Sequence, residues 1–328
     1  MKRIALKIDV DTCRGTLVGV PALIDLLQRH AASATFFFAL GPDCSGREAH
    51  KSSPSRHYDL TTRLSGLLLP APDIGARAAD SMRQTQAAGF EVAVHAWNRV
   101  LWERRVLSAD NAWVEAEMAQ AWRRFEAIFG APPLAHGAAG WRMNRHALRL
   151  TQRLGLCYAS DCRGKYPFFP VIDGEIVRCP QIPTTLPTID ELLLLGAASA
   201  DEAVEQVIEA STTISGDHVF TLRAELEGIT FCDAFERLLA TWQERGHRLV
   251  ALRDLLAARN VAQLPRHTIA FAEIAGRTGP RMLQGRAPSS RSEKKAAAAA
   301  FSSRTSVTDQ SRSPVKIISR LSRLTKTL

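Results

Sequence analysis

Residues 3–11 (RIALKIDVD) place Ile4, Leu6, Ile8 and Val10 on one parity and Lys7, Asp9 and Asp11 on the other. That period-two pattern predicts a strand with one apolar face and one polar face. Both carboxylates then leave the same face at the C-terminal end, where α/β proteins build their sites. Two carboxylates this close raise each other's proton affinity unless a cation or a base lies between them. Whatever supplies that charge decides the chemistry. An Asp-x-Asp pair also occurs at solvated strand ends, so later segments must carry the argument.

The chain continues as an alternation of helices and strands. An amphipathic helix is predicted over Thr16–His30, with Pro21 in its first turn where a missing N–H costs little. Ser33–Leu40 (SATFFFAL) reads as a buried strand, which completes a β-α-β unit with parallel strands. Residues 41–78 are irregular, and Leu64, Leu67, Leu68 and Leu69 suit a short packed helix or a contact patch. Further helices are predicted over 79–88, 109–129, 144–154 (with Asn144 as N-cap), 200–213 and 233–244. Strands are predicted over 90–97, 134–141, 156–163, 176–183, 218–226 and 248–252. The seven or so β-α units lack G-x-G-x-x-G and G-x-x-x-x-G-K-[ST], so a closed or nearly closed barrel fits better than a nucleotide-binding open sheet.

At 328 residues with 46% apolar content, the chain suits a single α/β barrel. No run approaches the ~18 apolar residues of a membrane span. Met1-Lys2-Arg3 leads directly into the interrupted apolar run, which predicts a cytoplasmic chain without a secretory leader. The cysteines at 13, 44, 157, 162, 179 and 232 show no C-x-x-C spacing and read as free thiols. The net charge of +9 is concentrated at one end: from Arg286 onward ten basic residues face Glu293 and Asp309. The body is therefore nearly neutral, and a nucleic-acid role is not expected. Residues 281–328 are expected to form a separate, low-complexity basic tail beyond a barrel of residues 1–280. Its last stretch places Ile317, Ile318, Leu321, Leu324 and Leu328 on one helical face among basic residues, a pattern suited to an anionic membrane surface.

Several segments fall at predicted strand ends: Ile8-Asp9-Val10-Asp11-Thr12, Gly41-Pro42-Asp43, His95-Ala96-Trp97, Ala138-Ala139-Gly140-Trp141-Arg142, Ser160-Asp161-Cys162-Arg163-Gly164, Gln181-Ile182-Pro183, Thr185-Leu186-Pro187-Thr188 and Ala224-Glu225-Leu226-Glu227-Gly228. Together, over roughly residues 3–280, they resemble the polysaccharide deacetylase (NodB-homology) superfamily. Within it they look most like the deformylases that act on 4-deoxy-4-formamido-L-arabinose-phosphoundecaprenol in lipid A modification. The resemblance implies a distorted (β/α)7 barrel and hydrolysis of an amide on a lipid-linked amino sugar. It also implies a divalent metal, zinc or manganese, and a place in the cytoplasm or at the inner face of the inner membrane. Carried over by motif, Asp9 would be the general base, Asp11 and His95 metal ligands, and Arg142 the residue orienting Asp9. Asp161 and Arg163 would support the site.

Two positions depart from that pattern. Arg99 stands where the family has its second metal histidine, and Arg223, just before Ala224-Glu225, where it has its late catalytic histidine. Arginine stays protonated and offers no lone pair. A guanidinium ~4 Å from a unit positive charge costs roughly 4 kcal/mol at an effective dielectric near 20, and about double that beside a divalent ion. Two readings follow. In one, the chain is an amide hydrolase. In the other, Arg99 and Arg223 replace the metal's charge opposite Asp9 and Asp11, and a non-catalytic relative binds a glycan, a lipid phosphate or a partner protein through the same mouth, with Arg163 and Glu225 beside them.

Overall fold

A computed structural model describes residues 2–48 and 57–288. Its centre is β1 (Arg3–Val10), buried along nearly its whole length. The other strands are β2 (Thr35–Ala39), β3 (Glu91–Ala96), β4 (Ala135–His136), β5 (Tyr158–Ala159), β6 (Phe169–Ile172), β7 (Glu175–Ile176), β8 (His218–Arg223), β9 (Arg248–Val250), β10 (Arg266–Ala272) and β11 (Arg281–Gln284). The main sheet runs β5-β4-β3-β2-β1-β8, with β9 beside the first half of β1, and every pairing in it is parallel. This curled, seven-stranded parallel sheet with helical crossovers is the expected barrel in half-open form. A second sheet runs β11-β10-β6-β7.

The alternation in β1 separates two environments. Ile4, Leu6, Ile8 and Val10 share a core with Phe36, Phe38 and Phe220 and with Val20, Leu23, Leu26 and Leu27 of the helix Val20–Arg29. Each such aliphatic side chain contributes about 1.5–3 kcal/mol when fully buried. On the opposite parity, Ala5 joins Phe37, Ala93, Ala135 and Val219 inside the curl, where Leu252, Leu255 and Leu256 of the helix Leu252–Ala257 pack against them. Small residues leave room there for a helix to plug one end. Lys7, Asp9 and Asp11 continue the same inner face toward the other end.

Several predicted boundaries shift. The strand expected over 134–141 shrinks to Ala135–His136, because the chain turns away through Gly137, Gly140 and Trp141. A Cβ on Gly137 would lie 2.6 Å from the Phe37 ring, and Gly140 and Trp141 adopt φ of +59° and +53°. The strand expected over 156–163 is likewise reduced to Tyr158–Ala159. In place of a strand over 176–183, Glu175–Ile176 forms a short strand and Gln181 makes isolated bridges to Ala159 and Phe168. Helices Arg99–Arg105 and Ile189–Leu194 and the β10–β11 hairpin were not anticipated. Because β11 is hydrogen-bonded to Arg163 on both sides of Leu283, through the Met282 carbonyl and the Gln284 N–H, the folded body extends past residue 280. In the irregular region Leu60–Leu64 is a short helix, and Leu67 and Leu68 are exposed. The expected amphipathic helix at the C-terminus lies outside the described residues. No helix among the described residues is long and apolar enough to cross a membrane.

After β1, residues 15–19 form a π-helical turn against the segment that follows β8. The backbones approach so closely that a Cβ on Gly19 would lie 2.0 Å from the carbonyl oxygen of Ala224. Gly19→Ala is therefore expected to destabilise the fold by at least about 1–3 kcal/mol, the cost of overpacking. Urea denaturation measures it, and an unchanged midpoint would show that the two segments can separate freely.

Candidate active site at the barrel mouth

The inner face of β1 ends at three buried charges. Lys7, fully buried, forms an ion pair with Asp9 Oδ1, and its ammonium also lies 5.0 Å from the Phe37 ring centroid. Asp9 is thus neutralised from its own strand, two residues back, as the shared parity allows. Arg142, expected to orient Asp9, instead donates to the backbone carbonyls of Glu103 and Thr278.

Asp11 has different neighbours. Arg223 Nε donates to its Oδ2 at 3.1 Å, Arg99 Nε lies 3.7 Å from its Oδ1, and His95 Nε2 lies 3.2 Å from the same oxygen. His95 Nδ1 is 2.6 Å from the carbonyl of Gly137. A carbonyl only accepts, so Nδ1 carries a proton and Nε2 is the atom presented to Asp11. Burial alone would raise the Asp11 pKa. Arg99 first, then His95 and Arg223, outweigh it and hold the carboxyl far below the usual range.

Both arginines extend the charge pairing outward. Arg99 donates to Glu48 at 2.8 Å and to Glu103 at 3.0 Å. Arg223 Nη1 donates to Asp190 at 2.8 Å, and Arg277 meets Asp190 at 2.7 Å and Glu191 at 3.0 Å. Arg163 closes the chain on Glu191 at 3.1 Å. Asp190 is also held low, since Arg277 and Arg223 together outweigh the effect of its burial. The residues that anchor this side come from a capping box: Thr188 Oγ1 accepts from the Glu191 N–H, and Glu191 accepts from the Thr188 N–H. The Trp141 ring lies below the guanidinium groups of both Arg163 and Arg277, at 5.0 and 5.3 Å.

The remaining expected residues sit nearby with other partners. Asp161 accepts from His136 Nδ1 at 2.6 Å, from the Ala138 N–H at 2.8 Å and from Gln181 Nε2 at 3.0 Å. It braces the turn that carries Trp141 and Arg142. Glu225 Oε1 accepts from the backbone N–H groups of Asp11 and Thr12 and from the Thr12 hydroxyl. Burial, then the charge of Asp11, pushes the Glu225 pKa up to about 8, and burial does the same to Glu227. Both are protonated near neutrality.

The residues present do not fit a catalytic divalent metal. Asp11 and His95 converge as two donors, but the third position is Arg99, and Arg223 occupies the other Asp11 oxygen. No group of three His, Cys, Asp or Glu side chains among the described residues is placed to hold a metal. Two fixed cations within 4 Å of the Asp11 carboxylate oppose a third. Strand parity pointed to Asp11 and His95, and the resemblance to the family pattern singled out Arg99 and Arg223. Lys7 was visible only as a parity, Asp190 and Glu191 only as a capping-box pattern, and Arg277 carried no local signal.

Comparison with known proteins agrees with this architecture. The pattern of the polysaccharide deacetylase family matches residues 2–159. A Shewanella sediminis protein named as 4-deoxy-4-formamido-L-arabinose-phosphoundecaprenol deformylase ArnD is 34% identical, over 84% of this chain and 93% of its own. A protein of the same name from Wigglesworthia glossinidia brevipalpis is 28% identical, over 81% and 96%. Among solved structures, one from Mycobacterium smegmatis named as a polysaccharide deacetylase superposes with a TM-score of 0.60 at 18% identity, over 83% of this chain and 96% of that one, which supports the fold. The strand-end segments, the curled parallel sheet and the extent of these matches together show that the chain belongs to the polysaccharide deacetylase family, in its formamido-arabinose deformylase branch.

Proposed function

We propose that this chain keeps the ligand class of its deformylase relatives, an amino sugar joined through phosphate to a polyprenyl lipid, and binds it without metal-dependent amide hydrolysis. The observation that carries this reading is Asp11 held between Arg99 and Arg223, in a mouth where Asp9, Glu48, Glu103, Asp190 and Glu191 are likewise engaged by lysine or arginine. A guanidinium cannot activate water as a metal does, but it recognises phosphate and sugar oxygens well. On this reading Asp9 is not a free general base, since Lys7 holds it, and Arg142 and Asp161 maintain the shape of the mouth. A lipid-linked ligand also suits the exposed apolar side chains Leu17, Val18, Leu60, Leu67, Leu68 and Leu69. They offer a surface for the inner face of an anionic membrane.

Metal content tests the reading directly. After incubation with zinc or manganese and dialysis, the wild-type chain is expected to retain well under one equivalent by plasma mass spectrometry. Arg99→His supplies a third donor beside Asp11 and His95 and should retain more zinc. Near-stoichiometric metal in the wild type would overturn the proposal and return the chain to the hydrolases, with deformylation of a formamido-sugar as the next assay.

The arginines should also be structural. Arg223→Met leaves Asp11 Oδ2 unpaired in a buried site, so a loss of the order of 3–5 kcal/mol in urea denaturation is expected. A loss below about 1 kcal/mol would mean that the pair is not buried in solution.

Stability should depend on pH from both sides. Asp11 and Asp190 have lowered folded-state pKa values, so their contribution is present above the unfolded carboxylate pKa, near 3.8, and is lost as pH falls through the folded values. Glu225 and Glu227 are raised from 4.5 to about 8, so theirs is complete below about 4.5 and declines up to about 8. Melting temperature is thus expected to fall between about pH 5 and 8, and less steeply in Glu227→Gln. Identical slopes for the two proteins would remove Glu227 as a cause.

A further inference from the structure

The charge pairing at the mouth leaves two cations over. Lys7 has Asp9, Arg99 has Glu48 and Glu103, Arg223 has Asp11 and Asp190, Arg277 has Asp190 and Glu191, and Arg163 has Glu191. Among the described residues Arg142 has only two backbone carbonyls, and its Nε is buried without a partner there. Arg281, at the start of β11, is 5% exposed, and both its Nε and its Nη1 are buried without partners. Native proteins rarely leave such donors orphaned.

The two side chains share one neighbourhood. β11 packs against the turn at 139–141 that leads into Arg142, and the loop before β11 carries Thr278, whose carbonyl accepts from Arg142. A Cβ on Gly279 would lie 2.9 Å from Arg142 Nη2, so this glycine lets the loop close over the guanidinium. Burial, reinforced by Arg142, Arg277 and Arg223, pushes the Arg281 pKa down to about 10 despite Glu103. Glu103 is itself bonded to Arg99. The local field is one of excess positive charge with N–H groups unsatisfied.

We propose that Arg281 and Arg142 form the seat of a phosphate ester beside the Asp11 site. The three orphaned nitrogens, from two planar guanidiniums, suit a tetrahedral anion that accepts on several oxygens, while a single carboxylate is served by one fork. The seat gives a place to the phosphate of the ligand class proposed above and rests on that reading for the ligand's identity. The site itself stands on the orphaned guanidinium atoms.

The test is calorimetric titration of the full-length chain at low salt with inorganic phosphate and with glucose 1-phosphate, together with flotation on phosphatidylcholine vesicles carrying undecaprenyl phosphate. Saturable phosphate binding is expected for the wild type, weakened about tenfold or more in Arg281→Leu, the loss of charge-assisted bonds. Phosphate should raise the wild-type melting temperature but not that of Arg281→Leu. Without phosphate the variant should melt no lower than wild type, because it removes an unpaired buried charge; a purely structural arginine would give the opposite. If Arg281→Leu does not fold, Arg281→Lys, which loses the fork, is expected to show the same weakening. Vesicle flotation that depends on Arg281 assigns the phosphate to a lipid; glucose 1-phosphate binding without flotation assigns it to a soluble sugar phosphate. Absence of saturable binding in the wild type, or equal affinity in the variants, overturns the proposal. Neither result bears on metal retention, so the two readings can fail separately.

Discussion

Asp11, fully buried and held between Arg99 and Arg223, sets the arrangement of everything around it. A divalent ion is a point charge that gathers donors at about 2 Å. A guanidinium is a flat cation with donors on its edges, so each one that enters a buried site calls for a further acceptor. Glu48, Glu103 and Asp190 meet that demand, and Asp190 in turn is shared with Arg277. The result is a network that ties β1, β8, the helix Arg99–Arg105 and the helix Ile189–Leu194 together.

The parity of β1 explains why such charges can be buried at all. Its outer face packs against helices, while its inner face changes along its length from Ala5, packed on Leu252 and Leu255, to Lys7, Asp9 and Asp11. Lys7 and Asp9 compensate each other within one strand and require little of the rest of the fold. Asp11 lies beyond the last ladder residue and must find its partners on other elements. The two aspartates, alike in sequence, therefore differ in what they hold together.

The sequence showed the parallel alternation, the first β-α-β unit and the inner-face carboxylates, because all of these follow from local periodicity. Asn144 was legible as a cap, and its side chain does accept from the Ala147 N–H. Of the residues read as site candidates, His95, Arg99 and Arg223 meet the Asp11 carboxylate, while Arg142, Asp161 and Arg163 take other partners. The length of the strand at 134 was misread because its small residues fit a strand equally well, whereas close approach to Phe37 and the positive φ at Gly140 and Trp141 bend the chain out of the sheet. The partner of Arg142 was misread for a different reason: the site is closed by residues far along the chain. Thr278, Arg277 and Arg281 belong to a loop and hairpin that reach back over 87 residues to Asp190 and 136 to Arg142, and no local pattern encodes that return.

Charge balance at the mouth depends on which groups can ionise. Glu225 and Glu227 are deeply buried and hold protons near neutrality, so they act as hydrogen-bonding groups and add no negative charge to the mouth. The Asp11 charge that keeps Glu225 protonated is itself maintained by Arg99 and Arg223. Replacing either arginine alone changes the field on every carboxylate of the network, so their effects on stability should not add.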